Sequence, residues 1–174
     1  MCKGISVLKA RLNQELIEEY ALADRLRMRR PGPVQGHLFD APPPLLEAST
    51  AEEIHFMYTD KHPELPVIHD GQLVIYEWGN RNNKESRLYR TGWCQQESLE
   101  GGKWSWLRPE QVVIPANFGL EKGVWFHIEQ GIAGIVVHDE HQRPHVYMLT
   151  KPASHYYQTM TKHDRAPVLI EQEI

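Results

Sequence analysis

The sequence contains little cysteine and no long apolar run. Its 174 residues include two cysteines, Cys2 and Cys94. One pair does not make a disulfide framework, and low cysteine use fits a reducing compartment. No apolar run approaches the roughly 18 residues of a membrane span, and the first residues lack an apolar stretch with a small-residue cleavage site. We therefore expect a cytoplasmic protein with no secretory signal and no membrane partner, and we expect a monomer.

A strong excess of one charge is also missing. The formal net charge is −4, from 23 acidic and 19 basic side chains. Residues 12–55 hold eight of the acids and four of the bases, so this segment accounts for the whole excess. The negative balance argues weakly against a nucleic-acid binder. The balanced remainder still permits a local basic groove.

A helix and a proline-rich segment are predicted near the start. Leu12, Leu16 and Tyr20 recur at helical spacing over residues 12–30, Asn13 is a suitable cap, and Pro31-Gly32 ends the helix. The arginines at its end are most simply solvated charges that compensate the helix dipole, with DNA contact as the minority interpretation. Residues 31–50 then predict an extended loop.

Short strands dominate from about residue 56. LPVI and QLVIYEWG flank His69-Asp70-Gly71, which predicts a hairpin. Single strands are predicted for QVVIPA and HVYMLT, and a strand pair around Gln130-Gly131 is predicted for GVWFHIEQGIAGIVV. Towards the end of the chain, a short helix or turn is predicted for SHYYQTMTKHD and a final strand for APVLI. The hydrophobic fraction of 41% is typical of one globular domain. We predict an α+β fold with a curved, mainly antiparallel sheet or barrel and a few helices.

The opening MCKGISV places a nucleophile beside the start methionine. If Met1 is removed, Cys2 carries an α-amine and a thiol on adjacent carbons. Their ordinary pKa values are about 8 and about 8.5, so both are partly available near neutral pH. An aldehyde forms a Schiff base with such an amine, and the thiol then closes a thiazolidine ring. The alternative is a tolerant chain end at which the cysteine has no role.

Three further residues are candidates for chemistry. Glu121 follows an apolar strand and Gly119, where partial burial would suit a general acid or base; an ordinary turn glutamate is the alternative. His163 precedes the last strand and is a candidate proton shuttle, although a loop histidine bonded to backbone has the same pattern. Arg165 is a candidate phosphate ligand or the partner of a surface acid.

Other motifs carry weaker signals. His138, His141 and His145 have a spacing that suggests zinc, but no cysteine pair or HExxH motif accompanies them. A zinc-dependent hydrolase is therefore a minor alternative. Tryptophans could stack on unpaired bases, but core packing is their more common use. Cys94 is expected to be a buried small side chain.

Several motifs occur in the order of a known family. They are Met1-Cys2, PVI at 66–68 with EWG at 77–79, Pro115-Ala116 through Glu121, Thr150 through Ala153, and His163-Asp164-Arg165-Ala166-Pro167-Val168. Together they resemble the SRAP family, the SOS response-associated peptidases or abasic-site-processing proteins. The likeness covers residues 1 to about 5 and about 56 to 170. Asn117 stands where that family has Asp, and Ala166 stands where it has Met.

The resemblance implies a single SRAP-like domain over residues 1–174, with a divergent helix and proline-rich insertion at about 12–55. It implies a Cys-dependent autopeptidase that removes its own Met1 and then crosslinks abasic sites in single-stranded DNA through Cys2. This activity needs no cofactor. It belongs to the DNA-damage response and takes place at the nucleoid. Catalytic roles fall to Cys2, Glu121 and His163. The DNA contacts implied are Lys3, Arg87, Arg90, Lys122, Thr150 and Arg165.

The chain departs from the family pattern at several positions. Lys3-Gly4 replaces Gly-Arg after the cysteine, and Lys122 replaces the tryptophan after the glutamate. The family also has an Asn-Ala-Arg motif, which has no clear counterpart here. Counting back from Pro115, its place falls on Thr91-Gly92-Trp93 or, with two residues deleted, on Trp93-Cys94-Gln95. The alternative function is therefore an SRAP-fold binding module, phage or mobile-element encoded, that has lost its chemistry.

Overall fold

The computed structural model describes residues 1–28 and 52–174. The predicted helix end at Arg29 and Arg30 and the predicted proline-rich loop at 31–50 lie outside these residues. No helix within the described ranges is long and apolar enough to cross a membrane.

The described residues form twelve strands and three α-helices, with short 3-10 turns between some of them. The strands are β1 (Gly4–Leu8), β2 (Leu26–Met28), β3 (Glu52–Met57), β4 (Glu64–His69), β5 (Gln72–Trp78), β6 (Trp93–Gln95), β7 (Glu110–Ile114), β8 (Phe118–Glu121), β9 (Val124–His127), β10 (Ile132–His138), β11 (Pro144–Pro152) and β12 (Arg165–Pro167). The helices are α1 (Gln14–Glu19), α2 (Gln96–Glu100) and α3 (His155–Thr161).

The strands are arranged in two sheets. The first has the order β2-β3-β1-β8-β9, and all of its pairings are antiparallel. In the second, β10, β7, β4, β5 and β11 follow one another, and pairing of β10 with β11 closes these five strands into a barrel. β6 and β12 attach to β11, which runs parallel to β5 and β6. The predicted α+β class with a mainly antiparallel sheet or barrel is confirmed.

Side-chain alternation along β10 and β11 divides the core in two. Val136, Val146 and Met148 belong to the larger buried cluster, which also contains Cys2 and Trp78. Their neighbours in sequence point to the opposite face and form the second cluster with Cys94 and Trp104. Because both faces of these strands are buried, their sequence is a nearly continuous apolar run. The core positions expected for Cys94 and most tryptophans are confirmed, whereas Trp106 is 52% exposed.

The predicted hairpin between β4 and β5 is confirmed. His69 pairs with Gln72, which leaves Asp70 and Gly71 as the two loop residues. Their φ angles of 49° and 75° are both positive, as a type I′ turn requires. An Asp-Gly pair tolerates this conformation, so the local sequence encoded the turn.

The predicted helix over 12–30 is wrong in extent. Asn13 caps it as expected, because its side chain accepts a hydrogen bond from the Leu16 amide at 2.9 Å. α1 nevertheless ends at Glu19, Ala21 adopts a left-handed conformation with φ of 50°, and β2 begins at Leu26. β2 pairs with β3. Edge pairing with a distant strand has overridden the helical preference of this segment.

The predicted strand pair around Gln130-Gly131 is wrong in its partners. Both strands exist, but β9 pairs with β8 and β10 pairs with β7 and β11. The chain passes from one sheet to the other between them. Hydrophobic periodicity identifies a strand but not the strand that it pairs with.

We predict that Gly79→Ala lowers the free energy of unfolding by more than about 2 kcal/mol, since a left-handed φ and a steric clash act together. Gly79 has φ of 61°, and a Cβ there would collide with the Thr91 carbonyl and Gly92. Gly71→Ala is the matched control because its φ is 75° and no atom lies within 4 Å. Urea titration of both variants measures the difference; equal losses would contradict the clash.

Candidate active site at the N-terminus

The first residues extend β1 along the end of β8. Gly4 pairs with Leu120, and the Lys3 amide donates to the Leu120 carbonyl at 2.8 Å. On the other side, the Tyr58 amide donates to the Lys3 carbonyl at 2.9 Å. Because β1 and β8 are antiparallel, the chain before Gly4 runs towards the residues that follow Leu120. This register brings Met1 and Cys2 beside Glu121.

The Met1 α-amine forms an ion pair with Glu121. Its nitrogen lies 2.6 Å from Oε2 of a carboxylate whose side chain has no exposed surface. Neither carboxylate oxygen has a hydrogen bond to any other group in the described ranges. Burial lowers the pKa of the Met1 amine, and the hydrogen bond with Glu121 opposes that shift. The amine compensates the buried carboxylate, and removing the amine would leave Glu121 as a buried charge without an ionic partner.

The Cys2 thiol is fully buried next to this pair. Its Sγ donates to the Gly4 carbonyl at 3.0 Å, and its side chain has no exposed surface. Burial raises the pKa of this thiol to about 12. The Cys2 carbonyl in turn accepts a hydrogen bond from Trp93 Nε1 at 3.1 Å. With Met1 in place, Cys2 is therefore a neutral thiol held in a fixed backbone geometry.

Tyr157 completes this buried cluster and was missed by sequence reasoning. Its side chain is fully buried, and its hydroxyl has no hydrogen-bond partner in the described part of the chain. Burial raises its pKa, and the charges of Cys2 and Glu121 add to the rise. The i, i+4 spacing of Tyr157 and Thr161 marks the buried face of α3. That spacing was the available signal, but it does not indicate a place beside Cys2.

His163 lies at a turn that contacts the same site. Lys122 Nζ, one residue after Glu121, donates to the Lys162 carbonyl at 2.6 Å. The His163 side chain is 24% exposed, and its Nδ1 accepts a hydrogen bond from the Arg165 amide at 3.1 Å. Among the described residues no hydrogen bond or ion pair joins its ring to Cys2 or Glu121. The structure therefore brings the segments of the three expected catalytic residues together. The pairing of β1 with β8 joins the Cys2 and Glu121 segments, and the contact of Lys122 with Lys162 joins the Glu121 and His163 segments.

Arg165 is already engaged by protein groups. Its guanidinium donates to both oxygens of Glu97, at 2.8 and 2.9 Å, and to the Thr150 carbonyl at 2.8 Å. This pairing lowers the pKa of Glu97 to about 2. Thr150 has no exposed surface, and its hydroxyl accepts from Arg165 at 3.2 Å. A phosphate at Arg165 would have to compete with Glu97, and the DNA-binding roles of Arg165 and Thr150 stay predictions.

The other residues expected to bind DNA are exposed cations. They are Lys3, Arg87, Arg90 and Lys122. Lys3 and Lys122 directly follow Cys2 and Glu121, so they lie at the edge of the buried cluster. Arg87 is held elsewhere, since its guanidinium donates to the His138 carbonyl at 2.8 Å. Two of the four therefore adjoin the candidate site.

The three histidines considered for zinc do not converge in the described structure. Both ring nitrogens of His145 have protein partners, the Gly79 carbonyl at 2.8 Å and Asp139 Oδ2 at 3.2 Å. Within residues 1–28 and 52–174, the group with metal-compatible spacing is His69, Asp70 and Glu110. It lies at the β4–β5 hairpin and shares no residue with the histidine motif.

Comparisons of the chain with protein-family models, with curated proteins and with solved structures found no match.

We predict that iodoacetamide labels Cys2 of the Met1-containing protein about a thousandfold more slowly at pH 7.5 than an ordinary thiol, because a pKa of about 12 leaves little thiolate. Labelling should accelerate about tenfold per pH unit. The labelling is followed by intact-mass spectrometry of a Cys94→Ser variant, in which Cys2 is the remaining cysteine. The same variant unfolded in urea gives the labelling rate of an unprotected Cys2. Fast labelling of the native protein would contradict the buried thiol.

Proposed function

We propose that the protein removes its own Met1 and then uses Cys2 to crosslink abasic sites in single-stranded DNA. The observation that carries the proposal is the contact between the Met1 α-amine and the buried Glu121 carboxylate, beside the Cys2 thiol. A carboxylate that holds the residue to be removed, next to a nucleophile on the far side of the scissile bond, suits self-processing. The resemblance to the SRAP family supports the same conclusion.

The processing step needs no group beyond those in the site and one water molecule. Cys2 Sγ attacks the Met1 carbonyl carbon, the bond from that carbon to the Cys2 nitrogen breaks, and the nitrogen takes up a proton. Water then hydrolyses the resulting thioester and releases methionine. The thiol proton must be removed first, since the Cys2 pKa is about 12. In the proposal Glu121 accepts it, while its ion pair with the amine orients Met1.

The crosslinking step uses the amine that processing releases. The Cys2 α-amine condenses with the ring-opened deoxyribose aldehyde and loses water, and Sγ then adds to the imine carbon and closes a thiazolidine. Glu121 and His163 would move the protons of ring opening and imine formation. Lys3 and Lys122 would contact phosphates beside the site, with Thr150, Arg165, Arg87 and Arg90 along the strand. We place this activity in the cytoplasm, at damaged DNA.

Trp93 supports one placement of the degenerate Asn-Ala-Arg motif. Its indole nitrogen donates to the Cys2 carbonyl. The placement on Trp93-Cys94-Gln95 therefore puts the first residue of the motif at the nucleophile. Glu97, two residues beyond this motif, pairs with Arg165. The indole would take over the backbone contact that an asparagine amide could make there.

A chemically inactive SRAP-fold binding module is the second candidate. The observation that favours it is the Cys2 thiol itself, which is buried, bonded to the Gly4 carbonyl and neutral at physiological pH. A protein that retained Met1 would keep the nucleophile in this state. The two candidates differ in whether Met1 is lost and whether a covalent DNA adduct forms.

A denaturing gel tests the crosslink. Purified protein is mixed with a single-stranded oligonucleotide carrying one abasic site, and we expect a heat-stable shifted band. Cys2→Ala should abolish the band, and Cys94→Ala is the matched control because it removes the other buried cysteine. Absence of a band from protein that has lost Met1 would overturn the crosslinking proposal.

We predict that Glu121→Gln blocks loss of Met1, because an amide neither accepts the thiol proton nor pairs with the α-amine. The protein is made in a purified translation system without methionine aminopeptidase, so that only self-processing can release methionine. Intact mass is followed over time for the variant and the unsubstituted protein. Processing of the variant at the unsubstituted rate would remove Glu121 from the mechanism.

A further inference from the structure

The Tyr157 hydroxyl is an unexplained polar group in the buried cluster. It is fully buried and has no hydrogen-bond partner in the described part of the chain. A buried, unpaired hydroxyl destabilises a fold, and phenylalanine would fill the same space without that cost. Few buried polar groups in native proteins lack a partner, and each needs an explanation, of which a role in catalysis is one.

The surroundings of Tyr157 hold its hydroxyl in place. Ser154 caps α3 by accepting from the Tyr157 amide at 3.0 Å. The phenol ring packs edge-on against Phe126 at 5.6 Å, and the Phe126 ring lies against Gly119, two residues before Glu121. Cys2, Phe126 and Tyr157 belong to one buried cluster. The charges of Cys2 and Glu121 act on the Tyr157 hydroxyl, which therefore lies close to both groups.

Removal of Met1 would change the balance of charge in this cluster. Glu121 has the Met1 amine as its ionic partner, and its oxygens have no hydrogen bond to other described groups. The freed Cys2 α-amine is consumed in the imine with the aldehyde, so the buried carboxylate then needs another donor. The ionisable groups around it are the Met1 amine, the Cys2 thiol, the Tyr157 hydroxyl and the Lys3 ammonium at the edge. Of these, the hydroxyl is a buried donor without a partner.

We infer that Tyr157 is a positioning residue for Glu121: when Met1 leaves, its hydroxyl donates to the Glu121 carboxylate and holds it for the reaction of Cys2 with an aldehyde. The inference rests on the proposed function, because it assigns a partner to the carboxylate of that reaction. It also explains why a tyrosine occupies a place in which its hydroxyl is unpaired while Met1 is present.

The test compares Tyr157→Phe with Tyr156→Phe, a neighbouring tyrosine that is 43% exposed. Each protein is released from a cleavable fusion so that it begins at Cys2. Two aldehydes are used: the abasic oligonucleotide, followed on denaturing gels, and glyoxylate, followed by the intact mass of the thiazolidine. Both rates are measured from about pH 5 to about pH 9, because carboxylates with raised pKa values and amines change charge within this range.

Loss of the donor should lower the Tyr157→Phe rate about tenfold, the worth of one hydrogen bond to a charged group. The shape of its pH–rate profile should also change, because the lost hydrogen bond acts on the carboxylate that moves protons in the reaction. In a Glu121→Gln background, Tyr157→Phe should have no further effect. The melting temperature of Met1-containing Tyr157→Phe should be unchanged or higher, and Tyr156→Phe should match the unsubstituted protein throughout.

Unchanged pH profiles in Tyr157→Phe would overturn the inference, as would an equal effect in the Glu121→Gln background. The glyoxylate reaction separates the two proposals. If no DNA adduct forms in any protein but the glyoxylate profile depends on Tyr157, the DNA function fails and the positioning role stands. If DNA crosslinking occurs and neither profile depends on Tyr157, the function stands and the positioning role fails.

Discussion

The structure at the N-terminus depends on the ion pair between the amine of the partly exposed Met1 and the fully buried Glu121 carboxylate. A fully buried carboxylate is tolerated only while a compensating charge or donor remains beside it. The register of β1 against β8 brings them together, because pairing of Gly4 with Leu120 directs the preceding residues to the end of β8. β1 lies at the centre of its sheet, between β3 and β8. Cys2, which follows Met1, is thereby part of the core.

The same burial that fixes Cys2 also keeps it unreactive. Desolvation raises its pKa to about 12, and the thiol proton is directed to the Gly4 carbonyl. A nucleophile stored in this way is protected from alkylation and oxidation until a base takes its proton. In our proposal the first substrate of that base is the chain itself, and loss of Met1 then leaves the amine and the thiol of Cys2 in one site with the carboxylate.

Several side chains around the N-terminal site have defined partners. Trp93 holds the Cys2 carbonyl, and Lys122 holds the Lys162 carbonyl next to His163. Arg165 is bound to Glu97 and to the buried Thr150. These contacts tie β6, β8 and the turn before β12 to the N-terminus.

Local chemistry was readable from the sequence. The Asn13 cap, the Asp70-Gly71 turn and the strands of the barrel follow from side-chain preferences within a few residues, and Cys2, Glu121 and His163 were singled out by residue type and family spacing. Pairing over long distances was not readable. β2 forms where a helix end is predicted, because this segment pairs with β3. β9 and β10 do not pair with each other, because each of them pairs with other strands. Tyr157 acquires its place next to Cys2 only through the packing of α3 on β9, since backbone pairing and burial between distant segments decide which side chains meet.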